Sequence, residues 1–144
     1  MALVLSRTID ASPDRVFAVL SDLRQSREWM PAIQAIDQTT SGAFGLGTTW
    51  RETRRAGKRT MESTIRVTAY DPPSALDLAV EAKQMAGRMH FSLSPEGAGT
   101  RVRYEAVMRG RGFFRLMSGT MNRMMAQADA DLLERLERQV AGKR

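Results

Sequence analysis

Cysteine is absent from this chain and histidine occurs once, as His90. The first absence removes disulfides, thiolate metal sites and cysteine nucleophiles together. The second leaves too little imidazole for most metal centres or a histidine-based triad. No metal and no cofactor is expected. Long apolar runs are missing as well: nothing approaches the roughly 20 residues of a membrane-spanning helix, and the opening MALVLSRTID reaches charge too soon for a signal-peptide core. A cytoplasmic protein is therefore expected. Aromatic residues make up 6% of the chain, and among the basic residues from Arg51 to Arg59 the only aromatic neighbour is Trp50. With so little stacking surface, a nucleic-acid partner ranks last.

What is present fits one ordinary domain spanning 1–144. Hydrophobic residues reach 42% and charged residues 26% over 144 positions, enough for a real core and too apolar for a disordered chain. The 22 Lys and Arg exceed the 16 Asp and Glu, giving a formal charge of +6 that keeps an acidic partner in view. That charge gathers at Arg51, Arg54, Arg55, Lys58 and Arg59, and again at Arg101, Arg103, Arg109, Arg111 and Arg115. Both groups fall on strands or turns, where a solvated face is the simpler reading and a basic interaction hairpin the third-ranked function.

The run from Phe113 to Val140 organises the rest. Met117, Met121, Met124, Met125, Ala128, Leu132, Leu136 and Val140 recur every three or four residues, the spacing of one face of an α-helix. The pattern predicts a single helix of roughly 40 Å, which needs a broad partner for its apolar stripe. The preceding residues supply strands. LVLSRTI alternates. Ser12, Pro13 and Asp14 then form a helix start, with Val16, Phe17 and Leu20 on one side and an end near Leu23. A second helical turn closes at Pro31, with Trp29 as a packing residue. The glycines of SGAFGLG precede a strand, not a Gly-Lys-Ser/Thr and a helix, so they read as a turn and not a phosphate cradle. Alternating segments at GTTWRETRR, KRTMESTIRVTAYD, ALDLAVEAK, GRMHFSLSP and RVRYEAVM complete the pattern. Each is half apolar, as in an antiparallel sheet with one wet face.

SRTIDASPDRVFAVLSD, REWMPAI, GLGTTWRET, VTAYDPPSAL and GAGTRVRYE, in this order over nearly the whole chain, resemble the START-like superfamily, specifically its polyketide cyclase/dehydrase and lipid-transport branch. None of these is a catalytic signature. The resemblance implies an α+β helix-grip fold: a curved antiparallel sheet of about seven strands around a long C-terminal helix, with two short helices after the first strand. It also implies a cavity between sheet and helix for an apolar ligand such as a lipid, quinone or polyketide-like compound.

Strand alternation directs Trp50, Met61, Ile65, Met89, Phe91, Tyr104 and Met108 to the concave face, opposite Met117, Met121, Met124 and Met125 on the helix. Methionine adapts to varied apolar shapes, so this set is the expected ligand lining, although methionines also simply fill cores. The leading expectation is a carrier of a hydrophobic small molecule. A cyclase or dehydratase is the alternative, with Glu52 and Tyr104 as weak catalytic candidates. Glu52 shares the parity of Trp50 and either points inward, where burial would raise its pKa, or sits at the rim against an arginine. Tyr104 either meets a ligand oxygen or bonds the main chain. Arg54, Phe113 and Phe114 are the candidate entrance. Gly110 and Gly112 loosen the chain before the phenylalanines, and the interleaved Arg109, Arg111 and Arg115 suit transient contact with an anionic membrane. His90 is expected to face solvent. The sequence fixes no oligomeric state.

Overall fold

The computed structural model describes residues 3–142. Seven strands follow in chain order: β1 (Leu3–Ile9), β2 (Ile33–Gln38), β3 (Thr49–Ala56), β4 (Arg59–Asp71), β5 (Ala75–Ala82), β6 (Met85–Glu96) and β7 (Gly99–Gly110). They form one antiparallel sheet in the order β1-β7-β6-β5-β4-β3-β2. Every neighbouring pair from β2 to β7 is consecutive in sequence, and β1 closes on the far side of β7. Register shifts between Ile33 and Ala35 and between Val67 and Ala69 add local twist, as bulges do in a curved sheet.

Alternation sets the two faces as expected. Val102, Tyr104, Ala106 and Met108 of β7 are buried, whereas Arg101, Arg103, Val107 and Arg109 are exposed. The β2 strand is not assigned by the sequence pattern; only Ile33 of its six residues is buried.

Between β1 and β2 lie α1 (Pro13–Leu20), a 3-10 turn at Leu23–Gln25 and α2 (Ser26–Trp29). Ser12 caps α1, its hydroxyl accepting from the Arg15 amide at 3.3 Å. Val16, Phe17, Val19 and Leu20 turn inward, and Trp29 is a buried packing residue.

The C-terminal arm is segmented where one helix is expected. A 3-10 turn at Gly112–Met117 leads into α3 (Ser118–Ala128); Asp129, Ala130 and Asp131 break the helix, and α4 (Leu132–Gly142) follows. The second part anchors the fold. Leu132, Leu133, Leu136 and Val140 are buried where α4 packs on α1, α2 and β1. Arg7 of β1 reaches Glu137 at 2.8 Å, and Gln139 donates to Gln25 at 2.9 Å. The first part is held differently, mainly by β7.

Candidate functional site

The concave face gathers most of the predicted lining. Trp50, Ile65, Phe91, Tyr104 and Met108 are buried; Met61 and Met89 are half-buried. Of the helical methionines, Met121 and Met125 are half-buried, Met125 packing against the core, whereas Met117 and Met124 are 43% and 62% exposed. These last two therefore do not line the groove. The cause is Asn122, which turns α3 about its axis. Its Oδ1 accepts from the Met108 amide at 3.0 Å and its Nδ2 donates to the Met108 carbonyl at 2.7 Å. Beyond the Leu3–Ala106 pair, this side chain takes the place of a strand partner for β7. Two buried main-chain groups outweigh the apolar preference of two methionines.

A second tie lies one helical turn earlier. Ser118 Oγ accepts from the Gly110 amide at 2.8 Å. A Cβ on Gly110 would lie 1.7 Å from the Phe114 carbonyl oxygen, so only glycine permits this close approach. Gly112 has a φ of 53°, the left-handed region that glycine enters freely. These two glycines fix the corner more than they loosen it. Past it, Phe113 and Leu116 are 86% and 98% exposed, Phe114 is partly buried, and the two phenylalanine rings meet edge-on at 5.5 Å. Phe113, Leu116, Met117 and Met124 make an apolar stripe on the outer side of the arm, among the exposed Arg109, Arg111, Arg115 and Arg123.

A depression of about 300 Å³ lies on the convex side, bordered by Arg51, Glu62, Thr64, Glu81, Lys83 and Arg111. Another, of about 200 Å³, is bordered by Asp77, Arg88, His90 and Glu105. His90 faces solvent there, as expected, and pairs with Asp77.

A polar cluster sits at the end of the concave face, beneath the helix break. Glu52 points inward and is buried, not at the rim, and it pairs there with Arg54. Its carboxylate accepts from Arg54 Nε at 3.3 Å and from Trp50 Nε1 at 3.5 Å. Arg54 is mostly buried and extends toward Asp129, with Nη1 3.8 Å from Oδ1. Arg135 of α4 approaches the same carboxylate oxygen at 3.7 Å, while its Nε bonds Asp131 at 3.1 Å. Burial pushes the Asp129 carboxyl above its usual range; Arg54 and Arg135 pull it back and Asp131 adds to the rise. Tyr104, 1% exposed, packs against Phe91 with ring centroids 4.7 Å apart. Burial, then the Asp129 charge, raise the phenol's pKa, and Arg54 opposes them, so the hydroxyl keeps its proton as a donor. Among the described residues, the indole Nε1 of Trp29 is the one fully buried side-chain polar atom without a hydrogen-bond partner.

Asn122, Asp129 and Arg135 are absent from the sequence-based candidates. Their signal is positional: Asn122 and Asp129 fall at the i, i+3 and i+7 spacing around Met125 and Leu132, polar residues within an apolar stripe. Among the described residues no group of three or more acidic or histidine side chains is placed to hold a metal, and no helix is long and apolar enough to cross a membrane.

A family model described as polyketide cyclase / dehydrase and lipid transport matches residues 2–141. Solved structures share the architecture at low identity. A START superfamily protein from Mycobacterium smegmatis superposes with a TM-score of 0.83 at 12% identity, covering 99% of both chains. The protein TTHA0849 from Thermus thermophilus gives 0.82 at 20% identity, again over 99% of both. A conserved protein from Geobacillus kaustophilus gives 0.79 at 14%, over 99% of this chain and 96% of its own. No curated protein matches the sequence.

Proposed function

Because the chain belongs to the polyketide cyclase / dehydrase and lipid transport family, we propose that it binds and carries a hydrophobic small molecule between the curved sheet and α3. Lipids, quinones and polyketide-like compounds are the candidates, and the cytoplasm is the setting. The observation that carries this reading is the asymmetry of the C-terminal arm. Buried leucines and the contacts with α1, α2 and β1 root α4, while α3 covers the concave face through half-buried methionines and a few polar ties to β7. Such a cover can lift about the break at 129–131 and readmit the methionines around a guest of varied shape. In this reading Trp50, Ile65, Phe91, Tyr104, Met108, Met121 and Met125 contact the ligand, and Met61 and Met89 border it.

Transient contact of the outer stripe of the arm with an anionic membrane belongs to the same proposal. Apolar side chains among arginines suit a lipid interface, and docking there would draw α3 off the sheet. A cyclase or dehydratase is the second reading. What favours it is the buried Tyr104 phenol, whose proton is held by burial and then by the Asp129 charge; Glu52, already bound by Arg54 and Trp50, is the weaker proton carrier. Titration with the neutral fluorophore N-phenyl-1-naphthylamine tests the binding reading. One saturable site per chain is expected; a linear, non-saturating rise would leave only surface adsorption and overturn it.

A further inference from the structure

We infer that the molecule docks end-on to an anionic lipid surface, with the tip of the β3–β4 hairpin and the β5–β6 turn as a second contact beside the exposed Phe113 and Leu116 of the arm. The inference rests on the proposed membrane contact of that arm and adds to it the basic hairpin and the orientation of the whole molecule on the surface.

The observation that carries it is a charge polarity along the strands. At one end of the sheet the β3–β4 turn (55–59) holds Arg55, Lys58 and Arg59, the β5–β6 turn (83–84) holds Lys83, and the corner after β7 (109–115) holds Arg109, Arg111 and Arg115. All are exposed, and none of these segments contains Asp or Glu. The antiparallel register places the stretches 10–14, 39–48, 71–74 and 96–99 at the other end. They carry the exposed Asp10, Asp14, Asp71 and Glu96, and no Lys or Arg. Charges mixed evenly over a solvated surface would show no such division. A negatively charged plane attracts one end and repels the other, which orients the molecule before contact.

Backbone geometry makes the basic end a platform. Ser63 of β4 pairs with Ala82 of β5, whereas residues 59–62 pair, among the described residues, with β3 alone. The hairpin therefore overhangs β5 by these four residues, roughly 13 Å, and presents Lys58 and Arg59 at its tip. Beside it, the Arg111 amide donates to the Gln84 carbonyl at 2.8 Å and Arg111 Nη1 to the Ala82 carbonyl at 3.3 Å. These bonds tie the corner that bears Phe113 and Leu116 to the β5–β6 turn. Lysine and arginine alone would suit a nucleic acid as well as a membrane. An aliphatic side chain as bare as Leu116 has no use against phosphates and gains by entering the acyl boundary, so the combination selects lipid.

Flotation of the full chain with phosphatidylcholine vesicles, with and without phosphatidylserine, makes the test. Wild type is expected on the vesicles containing phosphatidylserine and should leave them as salt rises. Lys58→Glu, Arg59→Glu, which lies outside the arm, should weaken that binding about tenfold or more, since each cation near such a surface contributes about fivefold. Arg66→Glu, Arg101→Glu makes the same change in net charge toward the other end of the sheet and should weaken it less than about threefold. Unchanged melting temperatures show that the variants are folded. Equal losses in the two charge reversals would mean a diffuse attraction and overturn end-on docking. Full binding by Lys58→Glu, Arg59→Glu, with loss in Phe113→Ser, Leu116→Ser, would overturn the hairpin contact and leave that of the arm standing. No binding of wild type to either vesicle would overturn both, and salt-dependent binding of single-stranded RNA in their place would assign the basic end to nucleic acid.

Discussion

At the scale of single residues, alternation made the apolar half of the site legible. Trp50, Ile65, Phe91, Tyr104 and Met108 are buried because a strand sends every second side chain to one face. Partnerships between elements were not legible. Asp129 lies 75 positions from Arg54, and no local pattern announces that a helix break will descend onto β3. Its environment yields a prediction with a definite sign. The folded-state pKa of Asp129 is raised above 3.8, so its contribution to stability is full below that value and is lost as pH rises through the raised one. Asp129→Asn removes the buried charge, and Arg54 keeps Glu52 while Arg135 keeps Asp131. The substitution should therefore cost no more than about 1 kcal/mol at neutral pH. The stability of wild type relative to this variant should increase on acidification, as measured by urea unfolding across a pH series. A decrease over the same range would show that the two arginines, and not burial, govern Asp129.

At the scale of elements, the C-terminal arm separates what periodicity reveals from what it hides. The apolar repeat continues from Ala128 to Leu132 without interruption, so the sequence predicts one helix, while the chain breaks at 129–131. Asp131 restarts the helix, its carbonyl accepting from the Arg135 amide at 3.0 Å and its side chain from Arg135 Nε. In α3 the methionine spacing pointed to a face containing Met117 and Met124, yet Asn122 rotates the buried face to spare two backbone groups of β7. Periodicity counts apolar side chains; it does not record main-chain groups that a distant strand leaves unpaired. The outcome is an arm with an apolar stripe on its solvent side as well. Vesicles of mixed phosphatidylcholine and phosphatidylserine should bind wild type and release it as salt rises. A Phe113→Ser, Leu116→Ser variant, altered at two of the most exposed positions, should bind several-fold less with unchanged thermal stability. Equal binding by both proteins would remove the membrane role of this stripe.

At the scale of the whole molecule, the fold was the most legible feature. The order of strand, helices, strands and C-terminal arm, with its recurrent turn segments, is distributed over the entire chain, and the family match over residues 2–141 agrees with it. The β2 edge escaped notice because four of its six residues are exposed and its register shifts between Ile33 and Ala35. Ligand chemistry was less legible still, since it depends on which polar groups are left without partners once everything has packed. The central claim is that the concave face beneath α3 is a binding site. Native mass spectrometry of the gently purified chain, before and after exposure to a cell extract of lipids and aromatic metabolites, tests that claim most directly. A discrete mass excess of one molecule per chain, released on denaturation as an apolar compound, is the predicted result. The bare chain alone, in both samples, would contradict it.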